Sequence, residues 1–393
     1  YPARDERNVP RDTSILITFA DTIRKESILD NTNGVRRDSI LIRRSAPSQT
    51  GDYGVVTATG VLSNDGKTFK IMPAALLGEP DQKLLYTVAL TTEITKESGA
   101  PLFTQTEGGY SWEFEVSGRI DTVPPTVENY LPLANSRNPI NALIQVTFSE
   151  PVDPFTVTPA HFSVLTGEEE KRVPVEGTWS VGNGYRTVTF FSNVSCGTNQ
   201  CGSAVFCLPL DSGVTTRMKA AALKAAQSAR DNPNKAAFPY GGIVDTSGNS
   251  LDGGGLNGAA RNGKSDGAEV DDFFWNFSTA KEKETTPPTV LSVLPGRDAQ
   301  GVDLTAPVTA TFSKFMDISS LNNASIGFSK ESNAWIASQH LFSERRTRAL
   351  IHHEPFQTDM IYTPVIRSGV TDIYQNCYNP CNGPGVQQSL LPQ

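Results

Sequence analysis

One strand pattern occurs three times in this sequence, and that repetition limits the folds open to it more than any single residue does. The first copy is Ser14-Ile15-Leu16-Ile17-Thr18-Phe19-Ala20-Asp21. The second is Leu143-Ile144-Gln145-Val146-Thr147-Phe148-Ser149-Glu150-Pro151-Val152-Asp153, and the third is Val308-Thr309-Ala310-Thr311-Phe312-Ser313-Lys314-Phe315-Met316-Asp317. Each alternates β-branched residues, ends at Thr-Phe and then turns, which reads as a strand. Ile15, Ile17 and Phe19 share one face, as do Ile144, Val146 and Phe148, and then Val308, Ala310 and Phe312. Those residues are predicted to fill one side of a sandwich core.

Two near-identical linkers precede the later copies. Asp121-Thr122-Val123-Pro124-Pro125-Thr126-Val127 leads into the second and Glu284-Thr285-Thr286-Pro287-Pro288-Thr289-Val290 into the third. Paired prolines fix φ and favour extended chain, so each linker is expected to be a stiff joint. A later strand recurs as Leu85-Tyr86-Thr87-Val88-Ala89-Leu90 and Ile361-Tyr362-Thr363-Pro364-Val365-Ile366. A closing strand recurs as Tyr110-Ser111-Trp112-Glu113-Phe114 and Phe274-Trp275-Asn276-Phe277-Ser278-Thr279, with its aromatics predicted to face inward.

Many short strands between turn signals describe an all-β chain of tandem immunoglobulin-like β-sandwiches. The expected division is 1–120 for module 1, 121–283 for module 2 and 284–393 for module 3. One helix is expected near 214–230, where Met218-Lys219-Ala220-Ala221-Ala222-Leu223-Lys224-Ala225-Ala226 favours helix, as an insertion lying on the second sandwich. Its packing residues would be Met218, Ala222 and Leu223.

The net charge of −8 argues against nucleic acid as a partner, because phosphate binding needs a basic stripe. No apolar run is long enough to span a membrane as a helix. The chain opens on Tyr1-Pro2-Ala3-Arg4-Asp5, polar from the start, so either a leader was removed or this is a piece of something longer.

Three sets of residues carry the resemblance to a known family. They are the Pro-Pro-Thr-Val linkers, the strand end Val146-Thr147-Phe148-Ser149-Glu150-Pro151-Val152-Asp153, and Gly242-Ile243-Val244-Asp245-Thr246-Ser247-Gly248-Asn249-Ser250-Leu251. Together they resemble the bacterial Ig-like module first associated with S-layer proteins, in three copies over nearly the whole chain. Such modules occur in surface-layer proteins, in large adhesins and as spacers within extracellular enzymes. The resemblance implies a secreted or cell-surface β-sandwich array and no particular activity. The first copy lacks the Pro-Pro-Thr-Val strand and the third lacks a Trp-x-Phe closing strand. Either the segment belongs to a longer array, or a neighbouring subunit supplies the missing strand.

Five cysteines lie in two clusters: Cys196, Cys201 and Cys207, then Cys377 and Cys381. Their short Gly/Asn/Pro-rich loops suit small disulfide rings in an oxidising compartment, formed by Cys196, Cys201, Cys377 and Cys381. Cys207 is then left over as a small buried hydrophobe. Zinc is the competing reading, but His161, His340, His352 and His353 sit at no ligand spacing to these cysteines.

No catalytic constellation is visible, neither a Gly-x-Ser-x-Gly elbow, nor His-Glu-x-x-His, nor a phosphate-binding loop. His352 and His353 are adjacent on a predicted strand and so face opposite sides. Glu168-Glu169-Glu170 reads as an exposed hairpin turn. The candidate site is the acidic, glycine-rich stretch from Asp252 to Asp272, where Asn262, Asp266, Glu269, Asp271 and Asp272 could give oxygens to calcium. A solvated hairpin loop without an ion is the plainer reading. Asn193, Asn276 and Asn323 each begin a glycosylation sequon, and Asn276 should point outward. The expected work is structural: a surface-layer, fibre or stalk component, with polymerisation by strand addition between subunits as one form of it. The alternatives are an adhesin whose loops bind glycans or surface proteins, and a non-catalytic spacer of a larger secreted enzyme. Expected partners are neighbouring modules or further copies of the same chain.

Overall fold

The computed structural model of the protein describes residues 1–47, 51–103, 108–168, 171–225, 228, 231–321, 325–330, 338–343, 347–353 and 355–379. These divide into two compact units. One is Tyr1–Pro124 with Leu223–Ala237 and Val244–Ser250; the other is Pro125–Ala222 with Phe238–Ile243 and Leu251–Gln393.

The first unit is built on two three-stranded antiparallel sheets. One has the order β1 (Ile15–Thr18), β4 (Thr68–Pro73), β3 (Ala58–Leu62), and the other β2 (Ile40–Arg44), β5 (Leu84–Leu90), β6 (Tyr110–Val116). The register sets Ile15 opposite Ile71 and Ile17 opposite Phe69 in one sheet, and Val88 opposite Trp112 and Tyr86 opposite Phe114 in the other. All of these side chains join one buried cluster. Removing that much apolar surface from water is the main force holding the sandwich closed.

The second unit holds the third copy and most of the second. In the second, one sheet has the order β12 (Gly177–Gly182), β13 (Thr187–Ser192), β9 (Ile144–Phe148), β7 (Val127–Leu131). Facing it, β11 (Val173–Pro174), β10 (Phe162–Thr166), β16 (Gly213–Met218), β18 (Phe273–Thr279) and β17 (Gly255–Leu256) pair in that order, with β8 (Arg137–Asn138) also on β18. A small hairpin, β14 (Ser195–Thr198) and β15 (Ala204–Phe206), projects from this copy. In the third copy the order is β19 (Val290–Leu294), β20 (Val308–Phe312), β23 (Arg348–His353), β22 (Ser338–Ser343), and β21 (Ile326–Lys330) pairs with β24 (Tyr362–Ile366).

The three repeated strands are β1, β9 and β20, and all nine core residues named from their alternation are buried. The diproline segments lead into β7 and β19 as the repeat predicts. Trp112, Phe114, Trp275 and Phe277 face inward, and Asn276 between the last two is exposed. Two inward tryptophans share an anchor that the sequence did not reveal. Trp112 Nε1 donates to Pro2 O at 3.0 Å, and Trp275 Nε1 donates to Pro132 O at 2.9 Å. A buried indole N–H needs such a partner, and the repeat supplies it twice at the same place.

The helical insertion expected near 214–230 is not there among the described residues. Val214, Thr216 and Met218 are buried at a period of two, in a strand paired to β10 on one side and β18 on the other. The alanines that follow serve close approach, not helix propensity. Ala220 and Ala221 are fully buried, and a Cβ added at Gly242 would lie 2.3 Å from the Ala220 backbone. A run this short is marginal as an isolated helix, so a sheet register that buries its apolar face prevails.

Candidate functional site

The acidic loop does not gather its five named residues around one point. Asp272 is 2% exposed and fully engaged. Its Oδ2 accepts from Arg217 Nε at 2.7 Å and from Arg217 Nη2, while its Oδ1 accepts from the Ala220 N–H at 2.9 Å. Both the carboxylate and its cation are thereby committed to holding the β16 end against β18. Asn262, Asp266 and Glu269 are exposed. Asn262 Nδ2 donates to Asp266 Oδ2 at 2.8 Å, and the Asp266 N–H donates to Asp271 Oδ2. Asp271 is buried, and a further carboxylate absent from the sequence-based set, Asp252, is buried beside it. Burial pushes the Asp271 carboxyl up, and the neighbouring Asp252 and Asp266 charges push it the same way.

The cysteines pair differently from the expected small rings. Cys196 is bonded to Cys207 across the β14–β15 hairpin, and Cys201 is bonded to Cys377, 176 residues away. Cys207 is therefore no spare thiol, and Cys381 lies outside the described residues. Local loop length suggested rings within each cluster. The fold instead brings the tip of the hairpin in the second copy against the 371–377 turn of the third, within disulfide reach, with Cα atoms 6.3 Å apart.

Around that bridge the second and third copies share a buried polar network. Asn141 Nδ2 donates to Glu284 O at 2.7 Å and Tyr374 O at 2.6 Å, and its Oδ1 accepts from the Glu284 N–H at 2.9 Å. Gln375 Nε2 donates to Phe206 O and Asn141 O, and its Oε1 accepts from the Phe206 N–H. Gln145 lies between two core positions of β9, where alternation predicts exposure, yet it is 0% exposed. Its Nε2 donates to Asp317 Oδ1 at 3.3 Å, because the outward face of β9 is covered by the third copy.

At the centre stands Lys314, whose Nζ lies 2.6 Å from Glu284 Oε2 and 3.1 Å from Asp372 Oδ2, and also donates to Thr286 O. Burial alone would lower the Lys314 pKa, but the Glu284 and Asp372 contacts outweigh it and hold it up. Burial likewise pushes Glu284 up, and the bonds from Lys314 and Thr286 reverse that and hold it low. Asp372 stays above its ordinary value, because its burial outweighs the same ammonium. Asp317 is pushed up to about 6 by burial, partly offset by bonds from Ser319. The diproline joint is thus pinned by side chains on both sides, a lock that Asn141 and Gln375 alone would not have signalled in sequence.

The remaining candidates take structural places. His353 stacks on Phe356 and its Nε2 is 2.8 Å from Ala306 O. Glu168 is exposed in the turn after β10, and Glu169 and Glu170 lie outside the described residues. Asn276 Oδ1 accepts from Thr215 Oγ1 at 2.7 Å on the open face of β18; Asn193 is exposed, and Asn323 lies outside the described residues. No described helix is long and apolar enough to cross a membrane.

Comparison with known proteins agrees with this architecture. A family model described as a bacterial Ig-like domain matches residues 1–116, 121–199 and 284–383. Among solved structures, the N-terminal part of the bacterial S-layer protein SbsC is 12% identical, with a TM-score of 0.22, covering 62% of this chain and 40% of that one. A longer SbsC structure is 11% identical at a TM-score of 0.22, covering 92% of this chain and 54% of that one. A tetra-tandem repeat from the extending region of a large adhesion protein is 11% identical at a TM-score of 0.19, covering 90% and 70%. This chain therefore spans about half the length of the S-layer structures it matches or less. At such scores these likenesses add nothing to what the sheets and the family match establish. No match is found among curated proteins.

Proposed function

This chain belongs to the bacterial Ig-like domain family, and we propose from that premise that it is an extracellular structural repeat protein whose second and third modules act as one locked brick. The observation that carries this reading is the Cys201–Cys377 bridge, set in the Lys314, Glu284 and Asp372 network across a diproline joint. A bridge between repeats resists relative motion, and two disulfides suit an oxidising compartment outside the cytosol. Single-molecule extension of the full chain tests it. In the oxidised chain the segment between Cys201 and Cys377 should be withheld from the contour length and released on reduction. Equal lengths in both states would refute the lock.

A finer form of the proposal is assembly by strand addition. Among the described residues β24 pairs only with β21, whereas β5 and β16 each carry a closing strand on the second side. An open strand edge is a template for another strand. Purified chains that form polymers in electron micrographs would support this form. A strictly monomeric product at high concentration would remove it and leave the spacer reading in place.

A further inference from the structure

The diproline joint and buried turn of the second copy repeat those of the third, with one reversal of charge. Asp121 stands where the third copy has Glu284, just before the paired prolines, and Asp245 stands where it has Asp372. Asn249 Nδ2 donates to Asp121 O at 3.5 Å and to Asp245 Oδ2 at 2.7 Å. Asn376 Nδ2 likewise donates to Glu284 O at 3.3 Å and to Asp372 Oδ2 at 3.2 Å. The register carries on into the repeated strands: the Thr126 N–H donates to Ser149 Oγ at 3.0 Å, and the Thr289 N–H to Ser313 Oγ at 2.9 Å. The residue after this serine is Lys314 in the third copy, whose Nζ joins Glu284 to Asp372, and Glu150 in the second. The second copy thus has an acid where the third carries its bridging ammonium.

The carboxylates stay together all the same. Oxygens of Asp121 and Asp245 lie within 4.8 Å of each other. Asp245 is 1% exposed, and its carboxylate accepts from the Ser247 and Asn249 N–H groups and from Asn249 Nδ2, all uncharged donors. Lys235 is held by Asp12 Oδ2 at 3.1 Å and by Ser247 O. In the same turn Ser247 is buried, and its Oγ has no hydrogen-bond partner among the described residues. Two carboxylates this close, one of them buried, repel each other unless a proton or a cation relieves them. We infer that Asp121 and Asp245 bind a divalent cation of the calcium class, at the place where the matching carboxylates of the third copy hold an ammonium. The third copy is the independent sign, since Glu284 and Asp372 there already hold a positive charge. Residues 121–125 and 244–250 contain neither His nor Cys, and carboxylate oxygens favour hard ions of the calcium class over softer metals. Without the ion, Asp245 is left to a proton, in keeping with its raised carboxyl. The residues of the 252–272 loop take no part, and the inference does not depend on the structural role proposed above.

Calorimetric titration of the full chain with calcium chloride, after treatment with a chelator, tests the site, alongside melting temperature with and without the ion. The expected affinity is on the order of 0.1–1 mM, as for extracellular modules, with a rise in melting temperature on binding. D121N should weaken binding at least about tenfold, since it removes one carboxylate ligand, while D266N should leave it unchanged. E150K is the decisive variant, because it restores the charge arrangement of the third copy. It should abolish calcium binding and, in chelator, melt above the unsubstituted chain, which separates loss of the site from loss of the fold. No heat and no melting shift in the unsubstituted chain would overturn the inference, whatever the stability of the variants. So would binding of undiminished affinity in both D121N and E150K.

Discussion

The turns at 94–102 and 370–378 have the same backbone and opposite side-chain polarity. In the first, the Lys96 N–H donates to Ala100 O and the Leu102 N–H to Ile94 O; in the second, the Asp372 N–H donates to Asn376 O and the Tyr378 N–H to Val370 O. Lys96 pairs with Asp21 at 2.9 Å, and Asp372 pairs with Lys314 at 3.1 Å, so acid and base have exchanged places between the first and third copies. The environment differs as much as the sign. The Lys96 and Asp21 side chains are 34% and 53% exposed, whereas Lys314 and Asp372 are 21% and 0%. The same pairing is therefore a solvated surface contact in one copy and a buried keystone in the other, and only the latter lies at a joint between copies.

The second copy supplies a third outcome. Its matching turn sets Asp245 to accept from the Ser247 and Asn249 N–H groups, as Asp372 accepts from Tyr374 and Asn376. Burial, reinforced by the Asp121 charge, pushes Asp245 up to about 7. One turn thus hosts an exposed ion pair, a buried ion pair and a buried acid with a weakened hold on its charge.

The sharpest way to break the comparison is Lys314→Met. It strands two carboxylates, one fully buried, and should cost about 4 kcal/mol in denaturant unfolding of the full chain. A loss under about 1 kcal/mol would show that the buried pair behaves like the exposed one. The next effect is on pH. The folded Asp317 carboxyl, at about 6 against an ordinary 3.8, binds its proton more tightly than the unfolded one. Its stabilising effect is present below about pH 4 and is lost as pH rises through about 6; Asp245 acts alike through about 7. The Asp317 contribution is roughly 3 kcal/mol. Asp317→Asn should flatten that part of the stability profile between pH 4 and 7, and an unchanged slope would count against it.

Cys201→Ser sharpens the comparison from the covalent side. A loss of about 2 kcal/mol is expected, the low end for a native disulfide, because the second and third copies keep their own cores. The readout is denaturant unfolding, with limited proteolysis of the 284–290 linker as the local measure. Lys96→Met is the smallest change, under about 1 kcal/mol, because its pair is solvated.

What the sequence determined by itself was the periodicity. The β-branched alternation of Ile144, Val146 and Phe148, and the inward Trp275 and Phe277 around exposed Asn276, say which face of each strand is buried, because burial acts on every second residue of a local segment. Three copies of that pattern were enough to give the sandwiches. Tertiary structure alone decided three further things: that the alanine run after Met218 packs against Gly242 without forming a helix, that Cys201 reaches Cys377, and that Asp272 is spent on Arg217. Each depends on which distant backbones come within a few ångströms, and one-dimensional spacing carries no record of that.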